Sequence, residues 1–357
     1  MSIITRFLEL LAEEGASDLH IKAGEPPIMR IDGLLRRTNH PPLSPKETEA
    51  MALELLSERR AEAFRETNEA DVGYTLEGVG RFRVNAFRQR GSVSIAIRRV
   101  RTEIPSFDEL MLPAAVANLA RESRGLILVT GPAGTGKTTT IGSMIGWINR
   151  HRPVHIITIE DPIEIVHEDR MAIVDQRELG EDTFSHEAAL RAVVRQDPDV
   201  IFIGEIRDRL TAEAAIQAAE TGHLVISTLH TLDATETVNR MIDLYPPEMQ
   251  LQARVSLAAS LRGVVSQRLV PRADGSGRVP TVEILINTGR VVERILSPEQ
   301  TATIPDVMAE GDFYGMQTFD QSLVNLVRDG IVTIEAATEA ASNPHDLMLA
   351  LKEAQLA

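Results

Sequence analysis

The stretch GLILVTGPAGTGKTTTIGSMIGWI, residues 125–148, decides the fold of the second half of the chain. Leu126–Thr130 is an apolar run typical of a buried strand. After it, apolar residues recur at helical spacing, at Ile141, Met144, Ile145 and Ile148. Between strand and helix, residues 131–138 read GPAGTGKT, a complete match to the phosphate-binding loop pattern G-x-x-x-x-G-K-T. This order of strand, glycine-rich loop and helix predicts a nucleotide-binding α/β domain.

Each part of this loop has a chemical task. Its glycines allow backbone N–H groups to turn toward phosphate oxygens, and Lys137 brings a positive charge to the β and γ oxygens. Thr138 is expected to hold Mg²⁺ through its hydroxyl. We therefore predict that ATP and Mg²⁺ bind at the whole loop, which consists of Gly131, Pro132, Ala133, Gly134, Thr135, Gly136, Lys137 and Thr138.

Polar residues follow three later apolar strands, at the sheet edge where open α/β sheets bind ligands. The strands and the residues after them are Val154–Ile159 with Glu160, Asp161 and Glu164, Val200–Ile203 with Gly204 and Glu205, and Leu224–Thr228 with Leu229 and His230. Glu205 is the first candidate to orient or deprotonate the attacking water, and capping of the next helix is the alternative. Any one of the three acids Glu160, Asp161 and Glu164 is a candidate to order Mg-bound water, with a place in a turn or helix start as the alternative.

Two histidines flank the strand that contains Leu224–Leu229. If this segment is extended, seven steps of about 3.3 Å place His223 and His230 roughly 23 Å apart, so they cannot share one metal ion. His230 falls at the phosphate edge, where it is a candidate sensor of the γ-phosphate, whereas His223 falls at the opposite end and suits an interface or a loop. An ordinary polar role at a strand end is the alternative for both.

The composition indicates a globular protein with two domains. A length of 357 residues exceeds one average domain, and 43% hydrophobic residues suffice for two cores. A net charge of −15 opposes nucleic-acid binding, which requires a basic surface. The longest apolar runs are far shorter than a membrane span, and Met1–Arg6 lacks a secretory signal, so we expect a soluble protein that stays inside the cell. The absence of cysteine excludes disulfides and thiolate zinc sites.

The pattern along the chain predicts an α+β domain over residues 1–101, a linker over 102–113 and an ATPase domain over 114–357. The first domain is expected to contain helices at Ile3–Glu14 and around Pro45–Phe64. Ser106 and Glu109 form a capping-box signature that predicts a new helix. From about residue 318 the chain reads as two or three helices with breaks at Gly330 and Asn343–Pro344, a helical appendage.

With these residues in place, the chain resembles the secretion-type ATPases that drive type IV pili and type II secretion, and most closely the retraction branch, PilT and PilU. The most specific part is LRAVVRQDPDVIFIGEIRD at 190–208, where a strand ends in Gly-Glu. Further matches are SDLHIKAGEPPIMRIDG at 17–33, GRFRVNAF at 80–87, TIEDPIE at 158–164, TGHLVISTLHT at 221–231 and GMQTFDQ at 315–321.

The resemblance implies a PAS-like α+β N-terminal domain, a RecA-like ATPase domain and a ring of six identical subunits. It places the Walker A lysine at Lys137, the Asp-box glutamate at Glu164, the Walker B glutamate at Glu205 and the His-box histidines at His223 and His230. The stretch 81–101 is similar to the region that supplies arginines in trans across the ring, and Arg83 and Arg98 are our candidates, with plain surface arginines as the alternative. The implied location is the cytoplasmic face of the inner membrane, with a pilus platform protein and a paralogous retraction ATPase as partners.

The branch is predicted from absences and from local differences. Assembly and secretion members carry a four-cysteine zinc element and a longer N-terminal region, and the chain has neither, which favours retraction. The segment GRVVERIL at 289–296 differs from the AIRNLIRE run of PilT, and SNPHDLMLALK at 342–352 is similar to PilU, which favours an accessory, PilU-like role. The alternatives are an assembly or type II secretion ATPase, a RecA-like nucleic-acid translocase and a nucleotide-responsive scaffold.

Overall fold

The computed structural model describes residues 2–31, 33–100 and 103–357. Met1, Asp32, Arg101 and Thr102 lie outside these ranges, and with them one position of the 17–33 motif, the end of the 81–101 stretch and the first residue of the expected linker. The chain divides into two compact units, Met1–Glu103 with Asp161–Val166, and Ile104–Glu160 with His167–Ala357. The domain limits 1–101, 102–113 and 114–357 stay a prediction.

The first unit is an antiparallel sheet of six strands with helices packed on one face. The strand order is β3-β2-β1-β6-β5-β4. In chain order its elements are α1 (Ile3–Glu13), β1 (Asp18–Lys22), β2 (Ile28–Ile31), β3 (Leu34–Arg37), α2 (Pro45–Leu55), α3 (Glu58–Thr67), β4 (Glu69–Leu76), β5 (Gly80–Gln89) and β6 (Ser92–Arg99). This α+β unit matches the expected N-terminal fold class.

Alternation along the strands separates the two faces of this sheet. In β5, Phe82, Val84 and Ala86 are buried, whereas the intervening Arg83 and Asn85 remain partly or fully exposed. One face therefore packs against the helices, and the other carries polar and charged side chains.

The prediction of a single helix around Pro45–Phe64 is wrong, because the structure has two helices there, α2 and α3. Leu56 has an extended backbone, with φ −101° and ψ 137°, and its buried side chain joins the core of the unit. Ser57 then occupies the N-cap position of α3. Burial of Leu56 at the end of α2 thus overrides the helical pattern.

The second unit is a mostly parallel sheet of seven strands in the order β13-β12-β7-β11-β10-β8-β9, in which only the β12–β13 pair is antiparallel. Its strands are β7 (Gly125–Thr130), β8 (His155–Glu160), β9 (Ile173–Glu178), β10 (Val200–Ile203), β11 (Leu224–Leu229), β12 (Leu261–Pro271) and β13 (Arg278–Ile286). Its helices are α4 (Ala114–Ala120), α5 (Lys137–His151), α6 (His186–Val193), α7 (Arg209–Glu220), α8 (Ala234–Asp243), α9 (Gln250–Ser260), α10 (Gly289–Leu296), α11 (Ile304–Ala309), α12 (Phe319–Arg328), α13 (Ile334–Ala340) and α14 (Pro344–Glu353).

Helices cover both faces of this sheet. Every residue of β7, β10 and β11 is buried, as expected for parallel strands between two helical layers. Successive residues of β7 enter different cores: Ile127 and Val129 pack with α4 and α5, whereas Leu126 and Leu128 pack with α6–α9. The RecA-like α/β architecture expected for this part of the chain is confirmed.

The C-terminal appendage consists of α12, α13 and α14, with breaks where the sequence placed them. It has its own core, in which Leu323, Leu347 and Leu351 pack on Val270 and Val279 from the outer ends of β12 and β13. The helix predicted at Ser106 is wrong. Ser106 and Glu109 do exchange the capping hydrogen bonds, but the segment forms only a turn, because Met111 adopts a left-handed φ of 56°.

Among the described residues, no helix combines the length and the apolar character needed to cross a bilayer.

Candidate nucleotide site

The phosphate-binding loop joins the carboxyl end of β7 to the first turn of α5. Gly131, Gly134 and Gly136 have positive φ values of 137°, 80° and 92°. Residues with side chains rarely adopt these values, so the glycines make this loop path possible. Helix α5 begins at Lys137, directly after Gly136 at its N-cap. The N–H groups in the first turn of a helix have no acceptor within that helix, and together with the positive end of the helix dipole they form a binding place for an anion.

Lys137 lies beneath this loop and is 9% exposed. Its Nζ donates hydrogen bonds to the carbonyl oxygens of Gly131, at 2.6 Å, and Pro132, at 2.9 Å. It also lies 3.5 Å from Nδ1 of His230. Backbone carbonyls therefore hold the charge of Lys137 at the loop, close to the side chain of His230, which directly follows β11.

Glu205 and His230 lie together at the ends of neighbouring strands. Glu205 follows β10, His230 follows β11, and β11 lies between β10 and β7. Oε1 of Glu205 is 3.4 Å from Nε2 of His230, and Oε2 accepts a hydrogen bond from Nε of Arg207 at 2.8 Å. The N-cap of α7 is Asp208, so Glu205 does not take the capping role considered as its alternative. The structure thus brings Lys137, His230 and Glu205 into one row beside the loop.

His223 lies at the other end of β11. Leu224, the next residue, pairs with Gly125 at the start of β7, whereas Leu229 pairs with Thr130 at its end. The ring Nδ1 of His223 is 2.9 Å from the carbonyl oxygen of Ala218. The structure therefore separates His223 from the loop by the length of a strand.

The three acids at and after the end of β8 divide between two environments: Glu160 is the last residue of this strand, and Asp161 and Glu164 follow it. Glu160 is 7% exposed, and its Oε1 accepts hydrogen bonds from Thr158 and Gln176 within the second unit. Asp161 and Glu164 belong to the segment that clusters with the first unit. There Oε1 of Glu164 is 3.3 Å from Nη1 of Arg83.

The two candidate trans arginines lie opposite each other in the first sheet, where Arg83 of β5 pairs with Arg98 of β6. Each has a carboxylate partner in its own chain. Arg83 contacts Asp71 at 2.8 Å as well as Glu164, and the hydrogen bond to Asp71 raises the pKa of Arg83. Arg98 contacts Asp18 at 2.8 Å.

Asp18 is an example of a carboxyl that its partners keep ionised. Burial acts to raise the pKa of Asp18, but the hydrogen bonds from Ser17 and Arg98 outweigh it and lower the pKa below the usual 3.8.

Sequence reasoning missed a buried chain of hydroxyls behind the loop. Oγ1 of Thr231, next to His230, is 2.7 Å from Oγ1 of Thr237, which donates to the carbonyl oxygen of Asp233 and lies 3.5 Å from Oγ1 of Thr130. Thr130 in turn donates to Ser266 of β12 at 3.0 Å. Thr130, Thr237 and Ser266 are far apart in the sequence, and the available signal was a single hydroxyl residue, Thr130, in an otherwise apolar strand.

Glu283 of β13 was missed as well. One carboxylate oxygen accepts a hydrogen bond from the N–H of Ala234, at the start of α8, at 2.8 Å. Burial raises the pKa of Glu283 from 4.5 to about 7, and nearby Asp233 and Asp320 act in the same direction. The N–H of Ala234 and Arg268 act in the opposite direction.

The loop suits Mg²⁺ bound together with a nucleotide. Among the residues that the structure describes, no three or more His, Cys, Asp or Glu side chains form a group able to hold a metal ion. Thr138 lies in the first turn of α5, next to Lys137. A hydroxyl supplemented by phosphate oxygens and water is a donor set that Mg²⁺ accepts. This fits the expected role of Thr138.

Comparisons with known proteins agree with this geometry. The family model described as "Type II/IV secretion system protein" matches residues 1–339. The type IV pilus ATPase PilU of Pseudomonas aeruginosa is 42% identical over 97% of this chain and 91% of its own length. The retraction ATPase PilT of the same organism is 40% identical over 96% of this chain and 99% of its own. A crystal structure of the pilus retraction motor PilT with bound ADP superposes with a TM-score of 0.89 at 45% identity, covering 97% of this chain and 99% of that one.

Proposed function

Because the chain belongs to the family of type II/IV secretion system proteins, we propose that it is a motor that hydrolyses Mg-ATP to retract type IV pili. The observation that carries the proposal is the row formed by Lys137, His230 and Glu205 beside a complete phosphate loop. Retraction is favoured over assembly because relatives named for pilus retraction align with nearly the whole of both chains.

Each residue of the row has a role in phosphoryl transfer. The loop N–H groups bind the phosphate oxygens, and Lys137 exchanges its carbonyl partners for β- and γ-oxygens. Glu205 orients the attacking water and accepts its proton, while His230, in contact with both Lys137 and Glu205, senses the γ-phosphate. Thr138 would hold Mg²⁺, which would supply positive charge to offset the negative charge of the phosphates. Glu164 is proposed to order water around the ion, and His223 to act at a subunit interface.

The motor is proposed to be a homohexamer at the cytoplasmic face of the inner membrane, acting on a pilus platform protein. In this ring Arg83 and Arg98 are the candidates to reach a neighbour's nucleotide. Because each has a carboxylate partner in its own chain, such a role requires it to exchange that partner for phosphate. A PilU-like role beside a second retraction ATPase is part of the proposal because the segment SNPHDLMLALK at 342–352 is similar to PilU. The overall identities, 42% to PilU and 40% to PilT, favour neither of the two.

A deletion strain of the source organism tests the proposal. Loss of a retraction motor should abolish or weaken twitching and increase the number of pili on the surface. The wild-type gene should reverse both effects, and the variant Glu205→Gln should reverse neither. Glu213→Gln provides a matched control, because Glu213 is a partly exposed glutamate of α7 that pairs with Arg209.

Repeating the test in a strain that also lacks the paralogous ATPase separates an independent motor from an accessory one. A deletion strain with fewer pili than the parent would contradict retraction and indicate assembly.

A further inference from the structure

Gln267 of β12 lies against the phosphate loop. Its neighbour Ser266 pairs with Thr130, the last residue of β7, so Gln267 continues β12 alongside Gly131, where the loop begins. The side chain is only 3% exposed. A buried amide needs hydrogen-bond partners at both its oxygen and its nitrogen, and the contacts of Gln267 therefore indicate what it holds in place.

Both ends of this amide contact the segment that surrounds the phosphate site. Nε2 donates a hydrogen bond to the carbonyl oxygen of Thr135, inside the loop, at 2.8 Å. Oε1 accepts a hydrogen bond from Oγ1 of Thr140, in the first turns of α5, also at 2.8 Å. Thr140 is itself 1% exposed. Because the hydroxyl of Thr140 donates to the oxygen, it fixes the orientation of the amide and directs Nε2 toward the loop.

Gly131 and Gly136 of the loop lie so close to Gln267 that a side chain at either position would collide with it. A Cβ atom on Gly136 would lie 2.7 Å from Nε2 of Gln267, and one on Gly131 would collide with its backbone oxygen. Real Cβ atoms do not approach other atoms this closely. The loop and residue 267 therefore fit together without space for a further methyl group.

The hydrogen bond to Thr135 determines where a neighbouring donor points. The carbonyl of Thr135 and the N–H of Gly136 belong to one planar peptide unit and point in opposite directions. When Gln267 binds the carbonyl, the N–H of Gly136 points to the side away from Gln267. Rotation of this peptide would break a partly buried hydrogen bond and misdirect one of the N–H groups available to phosphate.

We propose that Gln267 is a positioning residue, which holds the peptide between Thr135 and Gly136 in the orientation that binds the nucleotide phosphates. The proposal rests on the proposed ATP-binding role of the loop. Thr140 supports Gln267 by fixing the orientation of its amide. Gln267 thus acts through the loop backbone and makes no contact with the nucleotide itself.

Binding of Mg-ATP by purified variants tests this role, with KM and kcat measured in parallel. Gln267→Leu removes both hydrogen bonds at similar volume and should weaken binding about tenfold, mainly as an increase in KM. Gln267→Glu keeps the acceptor for Thr140 but replaces the donor by a negative charge near the phosphates, so its loss should be larger. Thr140→Val should weaken binding about threefold, and Thr140→Ser should restore it.

Thr281→Val is the matched control. It removes a buried hydrogen bond of 2.9 Å between Thr281 of β13 and Ser322 of α12, on the strand next to β12. Its melting temperature should fall as in Gln267→Leu, while its ATP affinity should stay unchanged. If the affinity of Thr281→Val falls equally, the effect of Gln267 reflects stability alone and the proposal is wrong.

The coupling between Gln267 and Thr140 supplies a second criterion. If Thr140 acts only through the amide, the double variant should bind ATP no more weakly than Gln267→Leu alone. Fully additive losses would contradict this link. If the Gln267→Leu variant binds ATP as tightly as the wild type, the role proposed for Gln267 is wrong but the proposed function of the protein stands. If the wild type does not bind ATP, both proposals are wrong.

Discussion

The two sheets of this protein use polar side chains in different places. In the first unit the charges lie on an open sheet face, where strand register sets Asp18 opposite Arg98 and Arg98 opposite Arg83. In the second unit both faces are covered, and the candidate catalytic groups Glu205 and His230 follow the last residues of their strands.

This difference separates two kinds of charged group. Asp18 is buried, but its partner Arg98 is exposed, and both members of the Arg83–Asp71 pair are partly exposed. Ion pairs between exposed side chains contribute at most about 1 kcal/mol to stability each. The groups at the covered sheet's edge lie at a loop built for an anion. We therefore expect substitutions at the edge to change chemistry strongly, and substitutions on the open face to change stability slightly unless a neighbouring subunit uses them.

The largest effect is expected for Lys137→Ala, which should abolish ATP turnover because the loop loses its charge on the β- and γ-phosphates. The control is Lys22→Ala, which removes an exposed lysine of β1 in the first sheet and should leave turnover unchanged. Steady-state phosphate release measures both variants. Near-normal turnover by Lys137→Ala would refute the assignment of the site.

Glu205→Gln should still bind Mg-ATP but hydrolyse it at least about 100-fold more slowly, because the amide neither orients nor deprotonates water as the carboxylate does. Nucleotide binding and single-turnover hydrolysis separate the two steps, and Glu213→Gln again serves as the control. A parallel loss of binding and turnover would instead make Glu205 a structural residue.

The open face becomes functional if its arginines act across subunits. Mixing Lys137→Ala protein with Arg98→Ala protein should then restore part of the turnover, since some interfaces in mixed rings keep both groups intact. Arg83→Ala is tested in the same way. Each variant must first be seen to assemble and exchange subunits by an independent measurement, such as energy transfer between labels. No recovery after proven mixing would leave both arginines as ordinary partners of Asp18 and Asp71.

The smallest expected effect is on the pH dependence of stability, in which one carboxyl group from each sheet is compared. Burial raises the pKa of Glu283 to about 7, so its native state favours the protonated form. The stability that this group contributes is complete below pH 4.5 and is lost as the pH rises through 7. Relative to Glu283→Gln, the wild type should therefore lose about 2 kcal/mol of stability between pH 5 and 8.5.

Asp18 should show the opposite slope, because its pKa is lowered and its contribution is lost as the pH falls below 3.8. Denaturation of the wild type, Glu283→Gln and Asp18→Asn across pH measures both differences. Parallel slopes for the two variants would show that the sheets do not differ in this respect.

The sequence was sufficient to predict features that depend on residues close together in the chain. The loop at 131–138, the strands that end before Glu205 and His230, and the helical C-terminal appendage with its two breaks all follow from motifs, apolar runs and breaking residues. The placement of His223 and His230 at opposite ends of β11 follows from strand rise alone. These features depend on neighbours in the chain, which a single sequence contains.

What the sequence did not predict depends on contacts between distant segments. Gln267 reads as one polar residue within a strand, and only the pairing of β12 with β7 brings it to a loop more than a hundred positions earlier. The partners of Arg83 and Arg98 likewise come from other strands or from the segment at 161–166. The interruption at Leu56 was missed because core packing outweighed local helix propensity.

Strand β12 has a mechanical consequence in a protein that generates force. Its outer end carries the core of the C-terminal helices at Val270, and Arg268 binds the carbonyl oxygen of Ala340 while its guanidinium lies 3.9 Å from the ring centre of Phe319. Its inner part pairs with β7 on one side and β13 on the other. A force that pulls those helices along β12 shears the hydrogen bonds that pair β12 with β7 and with β13. Many of these hydrogen bonds then share the force, and they do not open one at a time. Tension on the C-terminal helices would thus be transmitted along β12 to the nucleotide loop with little stretching of the strand.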